Sequence, residues 1–221
     1  MTKILICGDS FAADWTVKYD GKGWPNLLAD KYDVTNLAQA GCSEYKIYKQ
    51  VISADIDTYD FVIVSHTSPN RLYVDHHPIH HSDPLHHNCD LIYPDLLEHS
   101  KSNPEVKVIT DYFEQYFNLE HATFVHNLIV KEIIQTLRHH PNVIHCTNLL
   151  WDYGHLFDDS CMVSTKIVKL GLLNHCSDQD NYNIYTEFDD IIDFCVKHNK
   201  TPMEYRKPTL FHRLITLFKK D

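Results

Sequence analysis

Ile4-Leu5-Ile6-Cys7-Gly8-Asp9-Ser10 decides how this chain reads. The apolar run over residues 4–7 reads as a buried β-strand. Gly8-Asp9-Ser10 then makes a tight turn that leaves one hydroxyl at the strand's carboxyl end. In open α/β sheets that end is where ligands bind. A serine placed there needs a base and an oxyanion site to become a nucleophile.

Outward from this strand the pattern repeats. Trp24-Pro25 opens a short helix with Leu27, Leu28 and Tyr32 on one face. Residues 33–37 form a second strand, followed by the turn Ala40-Gly41-Cys42-Ser43, with Ser43 as N-cap of a helix over 46–52. The β-branched run 61–64 is a third strand. Strand–helix–strand–helix–strand within 65 residues predicts right-handed crossovers and a parallel sheet. Residues 66–104 break the rhythm, being rich in His, Pro, Asp and Asn. Helices are expected over 104–117 and 120–138, the second with Phe124, Leu128, Ile129, Ile133, Ile134 and Leu137 on one stripe. A fourth strand is expected over 143–146, loop over 147–174, and a helix capped by Ser177 or Asp178 running to His198.

The chain has 221 residues and fits one α/β domain over 1–200, with an insertion at about 72–103. Residues 201–221 are expected to hold an amphipathic helix, over 208–220, that docks on the core. The net charge of −10 argues against a nucleic-acid partner, although seventeen histidines will raise it as pH falls through about 6.5. Seven cysteines, without a Cys-x-x-Cys pair, fit reduced thiols in a cytoplasmic protein. No basic region followed by a long apolar segment opens the chain, so no signal peptide is expected, and no run is long enough for a membrane span.

If the strands lie side by side, four segments converge. They are Gly-Asp-Ser at 8–10, Asn-Leu-Ala-Gln-Ala-Gly-Cys-Ser at 36–43, Thr-Ser-Pro-Asn-Arg at 67–71, and Asn174-His175-Cys176-Ser177. In this order they resemble the SGNH (GDSL-type) hydrolase family, over residues 3–198. The resemblance implies a three-layer α/β/α sandwich around a parallel, flavodoxin-like sheet. It implies Ser10 as nucleophile and His175 as the base that later protonates the leaving alcohol. It also implies an oxyanion hole made by the Ser10 and Gly41 backbone amides and the Asn70 side chain. A serine hydroxyl is a weak nucleophile until an imidazole takes its proton, and a glycine at 41 lets the backbone approach substrate closely.

Two departures stand out. The family's acid lies three residues before the histidine, where this chain has Leu172. A Ser–His dyad with its imidazole held by a backbone carbonyl is one resolution; Asp178, Asp180 or an acid from another loop is another. Asn70 also stands later after its strand than the family's asparagine does, so Thr67 or Ser68 are alternative donors.

Residues 76–87, His-His-Pro-Ile-His-His-Ser-Asp-Pro-Leu-His-His, invite a metal reading, with Asp75, Asp83, Cys89 and Asp90 nearby. Pro78 and Pro84 deny a continuous helix, and no spacing matches a zinc signature. The expectation is therefore a polar, solvated lid over the site, with no metal and no cofactor. The resulting function is an esterase or deacetylase acting on a small-molecule or glycan ester. An acyltransferase of the same fold and a non-catalytic binding module are the alternatives.

Overall fold

Ile4, Leu5, Ile6 and Cys7 are fully buried and alternate between two layers. They belong to β1 (Lys3–Gly8), the second strand of a five-stranded sheet. The computed structural model describes residues 1–148, 156–157, 161–165 and 170–205. The sheet order is β2 (Asp33–Asn36), β1, β3 (Phe61–His66), β4 (Val143–Asn148) and β5 (Cys161–Thr165), and every pairing is parallel. Among the described residues six α-helices accompany it: α1 (Trp24–Ala29), α2 (Glu44–Ser53), α3 (Tyr93–His99), α4 (Pro104–Gln115), α5 (Leu119–Leu137) and α6 (Asp178–His198).

Because side chains alternate along a strand, Ile4 and Ile6 face α1 and α6, where Trp24, Leu28, Phe188 and Ile191 close one core. Leu5 and Cys7 face the other way, onto Ile47 and Val51 of α2 and Ile133 and Leu137 of α5. The protein is thus an α/β/α sandwich around a parallel sheet. Each fully buried Ile or Leu contributes roughly 1.5–3 kcal/mol relative to exposure. The chain leaves β1 toward β2 on one side and returns to β3 on the other, so the crevice of the sheet opens beyond the carboxyl end of β1.

Several expectations change. The fifth strand, β5, lies where the sequence reads as loop. β3 runs two residues past its apolar run because Ser65 and His66 are buried, and His66 is satisfied by polar partners rather than by packing. α5 is rotated from the expected stripe: Phe124 and Leu128 are exposed, and His126, Val130, Ile133 and Leu137 face inward. An apolar count cannot anticipate that His126 turns inward, where its Nε2 lies 3.9 Å from the buried Glu44 carboxylate. The tail helix expected over 208–220 lies outside the described residues.

The insertion is folded rather than solvated. Leu72 and Leu91 exchange two backbone hydrogen bonds of 2.9 and 3.0 Å, and α3 packs on α4 through Leu91, Leu96, Val106 and Phe113. Asp90 pins this unit to the start of α2. Its buried carboxylate accepts from the Ser43 amide at 2.6 Å and the Val74 amide at 3.0 Å, and lies 2.9 Å from Lys46 Nζ.

Candidate active site

Gly8 ends β1 where β3 passes closely: a Cβ there would stand 2.7 Å from the Ser65 Cβ. Gln50 of α2 clamps both backbone groups of Gly8, its Oε1 accepting from the amide at 2.7 Å and its Nε2 donating to the carbonyl at 3.2 Å. The chain then turns. The amides of Ala12 and Ala13 donate to the Asp9 carbonyl at 3.0 and 2.9 Å, and the Phe11 amide to the Asp9 carboxylate at 3.0 Å. This brings Ser10 to the crevice with its carbonyl held by Trp15 Nε1 at 2.8 Å.

His175 approaches from the other end of the chain. Asn174 and His175 both take left-handed backbone, with φ of 52° and 58°. Asparagine tolerates that conformation; histidine adopts it at a cost that the surroundings must overcome. They do: Asn174 Nδ2 donates to the carbonyl of Ala13 at 2.9 Å, and Asn181 of α6 donates to that of Leu173 at 3.0 Å. The imidazole sits by Phe11 and Trp15, with ring centroids 4.9 and 5.1 Å away. His175 Nε2 lies 2.9 Å from Ser10 Oγ. Burial, together with the charges of Arg71 and His86, holds the His175 pKa below its ordinary value, which favours the neutral, proton-accepting form.

Among the described residues no carboxylate is hydrogen-bonded to His175. Leu172 is exposed, and Asp180, in the first turn of α6, accepts from the hydroxyl of the N-cap Ser177 at 2.7 Å.

Gly41 has φ of 76°, and a Cβ on it would stand 2.5 Å from the Cys89 Cβ, so both backbone and space require glycine. Its carbonyl accepts from Arg71 Nη1 at 3.0 Å and from the Asp90 amide at 2.9 Å. Ser10, Gly41, Arg71 and His175 line one cleft of about 380 Å³. Asn70 is not among its lining residues. Its side-chain oxygen accepts from Ser68 Oγ, and the neighbouring Arg71 projects into the cleft instead. Arg71 was legible only as the last residue of the 67–71 run. Lys18, His80, Asp83, His86 and Cys89 complete much of the rim, and the last four are residue types able to ligate a metal.

Beneath the cleft lies a buried polar network that sequence reasoning missed. Glu44, at the first turn of α2, accepts from the Thr67 amide at 3.1 Å and faces His66 Nδ1 at 2.6 Å. His66 Nε2 meets His145 Nδ1 at 2.9 Å. Burial alone would raise the Glu44 pKa, but the charge and hydrogen bond of His66, with His126 and the Thr67 amide, outweigh it and hold the carboxyl below its usual range. Arg71 Nε in turn donates to Thr67 Oγ1 at 3.2 Å, so the network positions the guanidinium.

Asp9 is 1% exposed, and desolvation pushes its pKa up to about 6 against the pull of Arg71 and the hydrogen bond with Thr67. A carboxyl with a folded pKa above its unfolded value of 3.8 binds its proton more tightly in the folded state. Stability from this group is therefore full below about pH 4 and is lost as pH rises through about 6. Asp9→Asn keeps an acceptor for the Phe11 amide without the charge. It is expected to stabilise the protein at pH 8 by on the order of 3 kcal/mol, with the advantage vanishing below pH 4. Urea unfolding of both proteins across that range checks this; a pH-independent difference would contradict it.

No family model matches the chain, and no curated protein matches it. Among solved structures, one from Desulfitobacterium hafniense DCB-2, assigned to the G-D-S-L lipolytic family, is similar over 91% of this chain and 75% of that one, at 12% identity and a TM-score of 0.34. No helix among the described residues is long and apolar enough to cross a membrane.

Proposed function

We propose that the protein is a serine ester hydrolase, an esterase or deacetylase of SGNH type that works through an acyl-Ser10 intermediate. The observation that carries this reading is the 2.9 Å approach of His175 Nε2 to Ser10 Oγ in a cleft that also holds Gly41 and Arg71. As Ser10 Oγ attacks the ester carbonyl, its proton passes to His175 Nε2. The negative charge developing on the carbonyl oxygen is met by the amides of Ser10 and Gly41 and by a third donor. His175 then gives its proton to the departing alcohol, and a water, activated by the same imidazole, releases the acid and restores Ser10. Among the described residues the pair acts as a dyad, with the imidazole oriented by its aromatic neighbours and its constrained backbone.

Sequence order assigns the third donor to Asn70, whereas the lining of the cleft favours Arg71. Arg71→Met is expected to lower kcat by roughly 10²–10³-fold with little change in KM, and Asn70→Ala to lower it far less. A larger loss with Asn70→Ala would return the role to the amide.

A glycan ester is the favoured substrate class. A second cavity of about 390 Å³ shares Arg71 with the cleft and is lined by Tyr45, Tyr73, Tyr112 and Tyr116, amphipathic rings suited to sugar faces. Seven free cysteines support a reducing compartment such as the cytoplasm. Hydrolysis of p-nitrophenyl acetate and of acetylated oligosaccharides, with and without an acceptor alcohol, tests the reading. Transfer to the alcohol in preference to water would make the protein an acyltransferase instead.

A further inference from the structure

Within the insertion, His77, His80 and Cys89 each place a nitrogen or sulfur atom within 4.8 Å of the other two. His77 and Cys89 are buried, and among the described residues His77 Nε2 has no hydrogen-bond partner. A buried polar atom in that condition costs about 1–3 kcal/mol, so its placement needs a cause. Asp95 on α3 stands beside both rings, its Oδ2 2.9 Å from His80 Nε2 and 3.5 Å from His77 Nε2. The two imidazoles stack at 4.7 Å, as rings converging on one point can.

We infer that His77, His80, Cys89 and Asp95 form a binding site for one zinc-class divalent cation. Two imidazoles, one thiolate and one carboxylate are a donor set suited to tetrahedral zinc and poorly suited to magnesium or calcium. Zinc bonds of about 2.0–2.3 Å place tetrahedral ligand atoms about 3.5 Å apart, so His77, His80 and Cys89 close by up to roughly 1 Å on binding, while Asp95 already stands at about that spacing or closer from the two imidazoles. The Cys89 thiol proton leaves to solvent, and each imidazole keeps one proton on its other nitrogen. For His77 that proton moves from Nε2 to Nδ1, which gives up long hydrogen bonds from the Ile79 and His80 amides at 3.2 and 3.3 Å. One proton is released per cation.

The position gives the site a purpose. Cys89 packs against Gly41, the Asp90 amide donates to the Gly41 carbonyl, and His80 and Cys89 line the cleft that holds Ser10. A cation here staples the insertion onto the Gly41 turn. The site is built from its own groups and does not depend on whether Ser10 turns over an ester.

Cobalt(II) alone is the probe, titrated into the full chain after it has been purified without a histidine tag and stripped with chelator. One equivalent is expected to bind with a sulfur-to-cobalt charge-transfer band and the visible bands of a tetrahedral ion, both bleached by zinc. Cys89→Ser removes the charge-transfer band. His77→Ala weakens binding by at least about 100-fold, since even outer partners of a ligand are worth 10–100-fold. His81→Ala with His87→Ala, two exposed histidines of the same insertion, changes neither. No charge-transfer band in the unmodified chain, or a band that survives Cys89→Ser, overturns the site. Weak binding lost with His81 and His87 means an adventitious ion only, and overturns it too.

Discussion

Replacing Ser10 by alanine is expected to remove ester turnover, lowering kcat by at least about 10³-fold, while the protein stays folded. Ser10 is buried and its carbonyl is held by Trp15 Nε1, but that bond and the turn around it are made by the backbone. The substitution deletes one oxygen and the contact with His175 Nε2, and leaves the turn's hydrogen bonds in place. The unfolding midpoint should therefore move little. A fluorophosphonate should label the unmodified chain at Ser10 and leave Ser10→Ala unlabelled, with mass spectrometry locating the adduct. Full turnover by Ser10→Ala would end the acyl-Ser10 reading. An unlabelled, inactive parent chain would favour a binding module that retained the cleft. The metal site is scored by its cobalt spectrum and is untouched by either result.

The largest stability effect is expected at Glu44. Glu44→Ala should cost about 3–5 kcal/mol, read as a lower urea midpoint. Its carboxylate is almost completely enclosed and serves both the Thr67 amide and His66 Nδ1. Removing it takes a hydrogen-bond acceptor from both groups in a buried setting. The contrast is the surface cluster of Lys31 with Asp189 and Asp193. There the ammonium lies 2.7 and 3.0 Å from the carboxylates, but Asp193 is 60% exposed, and Asp193→Asn should change stability by less than about 1 kcal/mol. Equal effects at the two sites would show that the Glu44 network does not support the fold. Glu44→Ala should also lower kcat in any variant that still folds, because Thr67 links Glu44 to Arg71.

Much of the sheet was legible because its signals are local. An apolar run closed by Gly8 predicts β1, and the 33–37 and 61–64 runs predict its neighbours with boundaries off by no more than two residues. Pro104 and Leu137 bracket helices close to where periodicity puts them. Elements built on polar burial escaped. His66 extends β3 and His126 turns α5 inward, and both do so in contact with Glu44, far away in sequence. The helix α3 and the small core beneath it were hidden by a histidine-rich composition that reads as solvated.

The amino-acid sequence by itself determined that a glycine-led turn would carry Asp9 and Ser10 beyond the first strand of a parallel sheet. Alternation and short-range sterics act over a few residues and need no partner. The resemblance named His175 and Gly41 beside Ser10, and tertiary structure decided how the candidate site is assembled. It set His175 against Ser10 across 165 positions of chain, put Arg71 rather than Asn70 on the cleft, and gathered His77, His80 and Cys89. The physical reason is that a buried polar group is tolerable only where complementary groups converge on it. Such convergence is a property of the folded chain, and no local pattern encodes it.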